Sequence, residues 1–397
     1  MRKTRTRGIA LVVGTAASAL ALAACSPTSG STPEPTDAME TPIGGYSVDL
    51  AAAGCPSTIR IATDWFPEAE HGHLFQLVGP GYTFENTSEY STTGPLYFDG
   101  KPTGVNISIV SGGSARSDFL QPDGMLYLSN EDFLLGYVGN DEAVVHSTSA
   151  PTVGIFAPLE KDPQMLMWDP SVLTDVHSIA DLGKAGTSVN VFPGGYYIDY
   201  FLHEGILKPE QIDTTYDGSP GKFIASGGTI AQQGFASAEP YQYEHVFEDW
   251  MKPVDYELIN DAGYPKYAAV VSTKPEYISE YADCFKALVP ILQQAEVDYY
   301  ADPSGANSII IEAVENYATF WTYTPELAEY SVATQLEKGL VGNGPDDIVG
   351  NVDVDRVQAL IDAATAIYKD DQEKAIRTDL TPADLFDDQF IDPSIGF

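Results

Sequence analysis

Short apolar runs of strand length alternate with stretches of helical period twice along this chain, and that doubled alternation limits its fold more than any other feature. In the first set, residues 57–63 alternate as a strand, Asp64-Trp65-Phe66-Pro67 stops it, and 70–78 reads as a helix. A second strand at 105–110 ends in Ser111-Gly112-Gly113-Ser114. A third at 125–128 ends in Ser129-Asn130, 133–139 continues as a helix, and 143–149 is a fourth strand. Residues 152–156 leave this set. The pattern restarts with a helix at 179–182, a strand at 188–192, a helix at 196–202, a strand at 212–216, a helical segment at 220–225 and a strand at 254–258. Residues 267–272 read as the return strand, and 277–298, 309–320, 325–338 and 355–369 as helices. Alternation of this kind predicts an α/β chain with parallel sheets. Two sets joined by two crossing strands predict two lobes with a cleft between them.

Ahead of this body lies a leader. Arg2, Lys3, Arg5 and Arg7 precede an apolar run, 9–24, made only of Gly, Ala, Ser, Thr, Val, Leu and Ile. It is too short and too rich in small residues for a membrane span of about 20 strongly apolar residues. Residues 1–24 have the form of a secretory signal. The run ends in Leu22-Ala23-Ala24-Cys25, which resembles the bacterial lipobox. That resemblance implies diacylglycerol on the Cys25 thiol, cleavage before it, and a protein held by lipid on the extracellular face of the cell membrane. The alternative is ordinary signal cleavage with Cys25 as a bystander. Residues 25–54, rich at first in Ser, Thr, Pro and Gly, read as a flexible tether.

Charge narrows the partners. The chain has 57 acidic residues against 20 basic ones, and four of the basic ones lie in the leader. This argues against nucleic acid, whose phosphates need Lys and Arg, and against docking on anionic lipid. Two cysteines remain, Cys55 and Cys284. Outside the membrane an even pair favours a disulfide, which would place the start of the body and a distant segment in one lobe. Two buried free thiols are the alternative. No metal site and no cofactor is expected.

In open α/β sheets ligands bind beyond the carboxyl ends of strands. Polar and Gly-rich turns gather at those ends: Asp64-Trp65, Ser111-Gly112-Gly113, Ser129-Asn130, Ser149, Gly194-Gly195 and Glu239. Trp65 can stack on a flat ligand, and Asp64 can accept from a ring nitrogen or amine, or else cap a helix. His71 follows one turn deeper, to bond ligand or to pack. Ser111 and Gly113 offer backbone N–H donors, or form only a tight turn. Gly194 and Gly195 let backbone approach a ligand, and Tyr196 can close over it. Glu239 would accept from a ligand N–H or a cation, or would bond its own turn, with Tyr241 nearby.

The body resembles the solute-binding proteins of bacterial ABC importers, in the branch that groups nitrate, sulfonate and taurine binders with thiamine-pyrimidine-precursor binders. The resemblance rests on Asp64-Trp65-Phe66-Pro67-Glu68-Ala69-Glu70-His71, on residues 217–224, and on residues 230–240, which end in Ser237-Ala238-Glu239-Pro240. It covers roughly residues 55–272. It implies a venus-flytrap fold of type II-like topology with a helical C-terminal segment. Lobe 1 would comprise 55–152 and 267–397, and lobe 2 would comprise 153–266. It implies a monomer that delivers a small molecule to a membrane permease driven by an ATPase subunit. Few basic residues lie in the turns, so a flat neutral or cationic molecule, such as an aminopyrimidine, is favoured over a sulfonate or nitrate. No Ser-His-Asp order, HExxH or Gly-x-Ser-x-Gly pattern is present, so an enzyme is not expected. A surface sensor without a permease is the rival of another class.

Overall fold

Two separate β-sheets organise the protein. A computed structural model describes residues 48–397 apart from Ser129, Asp370, Gln372, Glu373 and Ala375. The expected signal, Cys25, most of the tether and Ser129 lie outside the described residues.

The first sheet holds seven strands: β1 (Thr58–Thr63), β2 (Thr83–Glu85), β3 (Ser91–Phe98), β4 (Lys101–Ser111), β5 (Phe133–Val138), β6 (Val153–Phe156) and, far downstream, β12 (Val270–Thr273). Their order is β2-β3-β4-β1-β5-β12-β6. β1 runs parallel to β4 and β5, while β12 is antiparallel to both β5 and β6. The second sheet takes the strands between: β7 (Gln164–Trp168), β8 (Val189–Asn190), β9 (Ile212–Asp213), β10 (Ala231–Phe235) and β11 (Asp255–Leu258), in the order β11-β7-β10-β8-β9. β8 is parallel to β9 and β10, and β7 is antiparallel to its neighbours. Both sheets are therefore mixed rather than wholly parallel.

Helices fill the intervals. Lobe 1 carries α1 (Gly72–Gln76), α2 (Pro122–Leu126) and α3 (Asn140–Val145). Lobe 2 carries α4 (Ile179–Ala185), α5 (Tyr196–His203), α6 (Gly221–Ala225) and α7 (Glu239–His245). The remainder is α8 (Pro275–Glu280), α9 (Ala282–Ala301), α10 (Ser304–Tyr317), α11 (Pro325–Glu337), α12 (Val354–Tyr368) and α13 (Pro382–Leu385). The long helix α9 packs on α1, and its Leu288, Ile291, Leu292 and Tyr299 join one core with Ile59, Ile61 and Ile107 of the sheet.

Three expected elements of lobe 1 take other forms. The apolar run at 125–128 is the end of helix α2, which Pro122 starts by supplying a fixed φ where no N–H is needed. The run at 133–139, expected as a helix, is β5. All six of its residues are buried between two neighbouring strands, so the sequence shows no alternation. The segment at 143–149, expected as a strand, ends helix α3 and the turn after it. The expected strand at 105–110 lies within β4, but β2 and β3, which complete its meander, have no counterpart in the expected elements. Its signal was Asp99-Gly100, both at positive φ between the paired Phe98 and Lys101, a two-residue hairpin turn.

The body also begins earlier than the tether expected to end at residue 54. Val48 and Leu50 are buried in the lobe 1 core, and the Leu50 amide donates to the Thr103 carbonyl at 2.9 Å. Cys55 and Cys284 form a disulfide, with Cα atoms 4.9 Å apart.

The chain leaves the first sheet after Phe156 and re-enters it at Val270, so β6, expected at the start of lobe 2, is an edge strand of lobe 1. Helix α12 braces both crossings through Arg356. Its guanidinium donates to the carbonyls of Glu160 (2.8 Å), Pro265 (2.5 Å) and Lys266 (2.8 Å) and lies 3.6 Å over the Tyr267 ring.

Candidate interlobe site

The carboxyl ends of β1 and β4 in lobe 1, and of β8 and β10 in lobe 2, carry the turns named from the sequence. Direct contacts join the lobes there. Ser237 Oγ donates to the Glu70 carboxylate. Tyr196 Oη lies 3.1 Å from His146 Nε2. Trp65 meets Phe192 edge to face, with centroids 6.2 Å apart.

Asp64 and Trp65 follow β1 directly. Asp64 Oδ1 is 3.1 Å from His71 Nε2, and His71 is fully buried with its ring 5.2 Å from Tyr137. His71 therefore orients Asp64 from behind. Trp65 has four aromatic neighbours, Phe66, Phe192, Phe320 and Trp321. The last two come from the loop between α10 and α11, where Trp321 Nε1 donates to the Pro67 carbonyl at 3.2 Å and the Tyr323 hydroxyl accepts from the Ala69 amide at 3.0 Å. The loop thus builds one wall of the cleft, and the sequence did not point to it.

The turn after β4 is committed to its own lobe. Ser111, Gly112 and Gly113 donate their amides to the carbonyls of Tyr90, Thr63 and Leu120, at 2.9, 2.7 and 2.9 Å. Gly113 has φ +53°, and a Cβ there would lie 2.4 Å from the Asp64 carbonyl oxygen. The glycine serves close packing of two turns, and the expected anion-binding amides are already spent. Asn130 is exposed at the amino end of β5, and Ser149 is exposed in the turn beyond α3. Neither ends a strand. The turn that does follow β5 is Gly139-Asn140-Asp141-Glu142, displaced from expectation by the misread elements around it.

In lobe 2, Gly194 and Gly195 precede α5, and Tyr196 opens that helix. Tyr196 contacts lobe 1 rather than open solvent. His146 Nδ1 lies 2.5 Å from Asp123 Oδ2, and Nε2 of the same ring faces the Tyr196 hydroxyl. Glu239 opens α7, and its Oε2 accepts from the Phe235 amide at 2.7 Å. Tyr241 packs on Tyr330 of α11, centroids 5.3 Å apart.

Carboxylates missed in the sequence dominate the electrostatics. Glu68 and Glu70 are 7% and 5% exposed. Burial pushes both upward from the ordinary carboxylate range. Burial lifts Glu239 to about 7. Near the crossings, burial and then Asp123 and Asp141 lift Glu142 to about 8.

This has a consequence for stability. Unfolded glutamates take up protons near 4.5, whereas these hold them to about 7 and 8. Between those limits the folded state binds more protons, so stability falls as pH rises. Thermal unfolding should show a higher midpoint at pH about 5 than at pH about 8, with the slope reduced in Glu142→Gln. A flat profile would mean that Glu142 and Glu239 are ionised without cost.

Two surface cavities lie away from this cleft. One, of about 250 Å³, is lined by Thr152, Pro275, Arg377 and Asp384, and the other, of about 540 Å³, by Pro220, Ile224, Phe247 and Asp249. Neither gathers strand-end turns from both lobes.

No family model matches the chain, and no curated protein does. Solved structures do. A protein of Bordetella bronchiseptica matches with TM-score 0.53 at 14% identity, over 84% of this chain and 96% of that one. The alkanesulfonate-binding protein SsuA from Xanthomonas axonopodis pv. citri, bound to MOPS, matches with TM-score 0.51 at 12% identity, over 84% and 99%. The aliphatic sulphonate binding protein SsuA from Escherichia coli matches with TM-score 0.51 at 14% identity, over 82% and 94%. The chain has the two-lobed α/β fold of periplasmic binding proteins.

Proposed function

We propose that this chain is the solute-binding protein of an ABC importer, anchored through a lipid on Cys25, which captures a small flat molecule between its lobes and presents it to a permease. The observation that carries this reading is the convergence of strand-end turns from two lobes on one cleft, with only two crossings joining the lobes. That arrangement suits opening and closing around a solute. Trp65, with Phe192 and Phe320 beside it, supplies a surface for a flat ring. Like the fold, the apolar run ahead of Cys25 supports an exported protein, and no described helix is long and apolar enough to cross a membrane. The role is binding rather than catalysis.

A second reading, capture of a small anion, draws support from the two alkanesulfonate-binding structures of like fold. The committed amides of the β4 turn and the carboxylates beside it weigh against it. Calorimetry with an aminopyrimidine alcohol and an alkanesulfonate separates the two. Binding of the sulfonate alone overturns the preference for a flat heterocycle. In cells, deletion should abolish uptake of the bound solute, and Cys25→Ser should restore it poorly, because the released protein loses its effective concentration at the permease. Unchanged uptake on deletion would instead favour a surface sensor.

A further inference from the structure

Phe320 is 56% exposed, yet it stands where the two lobes meet. It lies on the loop between α10 and α11, which the chain enters through Ala318 at φ +51°. The next residues fasten that loop to lobe 1, through the Trp321 indole on the Pro67 carbonyl and the Tyr323 hydroxyl on the Ala69 amide. The Phe320 ring meets Phe66 and Trp65 edge to face, with centroids 5.5 and 6.2 Å away.

Across the cleft the ring faces Gly218 of lobe 2. Gly218 has φ +89°, and a Cβ there would lie 3.2 Å from Trp65 Cη2 and 3.5 Å from Phe320 Cε2 and Cζ. Bare backbone therefore lets the rings come this close, and a side chain would act as a wedge. The loop bearing Gly218 is tied to lobe 2. The Tyr216 amide donates to the Val191 carbonyl at 3.3 Å, and Asp217 Oδ1 accepts from Ser219 N and Oγ at 3.0 and 2.7 Å. Tyr216 lies 4.7 Å from Phe192, which in turn meets Trp65. One row of rings, Phe320, Trp65, Phe192 and Tyr216, thus runs from lobe to lobe.

The junction changes character along its depth. Inside, it is polar and shut off from water: Ser331 Oγ donates to the Ser237 carbonyl at 2.6 Å, and both residues are 1% exposed. At the exposed end, Phe320 meets lobe 2 through ring and glycine backbone. Contact of that kind is short in range and has no directional demand, so it forms as the lobes meet and lapses as they part.

On the solute-binding reading above, we propose that Phe320 is the latch of the cleft. It moves with lobe 1 onto Gly218, covers Trp65, and holds a flat solute by slowing its escape.

The test uses the full chain and the aminopyrimidine alcohol, with binding followed by tryptophan fluorescence in stopped flow. Phe320→Ala should speed dissociation about tenfold and leave association within about twofold, because the latch acts after the solute has entered. Phe320→Tyr keeps the ring and should dissociate at the wild-type rate. Urea midpoints should be alike in all three proteins, since so exposed a ring adds little to the core. An unchanged dissociation rate in Phe320→Ala, or a Phe320→Tyr that releases solute as fast, overturns the proposal while leaving a solute-binding protein in place. A lowered midpoint in Phe320→Ala assigns the ring to packing and overturns it too. If the wild type does not bind the alcohol, that choice of solute fails and the latch is read without it. Distances between labels on the two lobes should then shift to longer values in Phe320→Ala and in Gly218→Ala. Distances unmoved by either substitution overturn it.

Discussion

Cys284→Ala should destabilise the protein by about 3–5 kcal/mol. The bridge joins residues 229 apart in sequence, so it removes a large loop from the freedom of the unfolded chain. It also ties the first residues of the body to helix α9, which is made only after the whole of lobe 2. Cys55 and Cys284 share the lobe 1 core, so the substitution adds a small cavity to the lost cross-link. Urea unfolding of the variant and of reduced wild type should give similar, lowered midpoints. An unchanged midpoint would show that the packing of α9 on α1 already fixes this part of the lobe.

Lys266→Met should cost about 3–5 kcal/mol at neutral pH, because it strips the cation from a buried carboxylate cluster. Lys266 Nζ lies 3.6 Å from Asp141 and 3.4 Å from Asp162, with Glu142 also acting on it. Burial opposes its charge, and the three carboxylates outweigh burial, so it stays protonated. Asp141 also accepts from the Tyr264 hydroxyl at 3.2 Å, so the cluster fastens α3 to the returning crossing. Burial raises Asp162 and Glu142, and losing Lys266 raises them further. Acid would protonate them and shrink the penalty. The loss should therefore be larger at pH about 8 than at pH about 5 in paired denaturation curves. An equal loss at both would assign Lys266 a packing role.

The sequence disclosed the two-lobed plan because strands that carry it, such as β1 and β8, are bounded by recognisable turns. It misplaced the stretch from α2 to α3 because β5 is buried on both faces and has no period to read. That error moved attention from Asn140 and Asp141 to Asn130 and Ser149. Asp64, Trp65, Tyr196 and Glu239 were legible as strand-end residues. Glu68 and Glu70 were not, since nothing local distinguishes a buried glutamate from a solvated one. Their burial depends on Ser237 and on the loop holding Trp321 and Tyr323, residues more than a hundred positions away. The expected amide donors at Ser111 and Gly113 failed for a similar reason, since their acceptors, Tyr90 and Leu120, belong to other segments.

The insertion of one sheet within the other also sets an order of assembly during synthesis. All strands of the second sheet lie between Gln164 and Leu258, so that sheet has every strand it needs while the first sheet still lacks β12. Until Val270–Thr273 is made, β5 and β6 have no strand between them, and Cys55 has no partner for a further stretch up to Cys284. The half of lobe 1 made first must wait with an open sheet while its neighbour finishes. A truncated chain ending after Leu258 should accordingly protect lobe 2 amides from exchange and leave those of β5 unprotected.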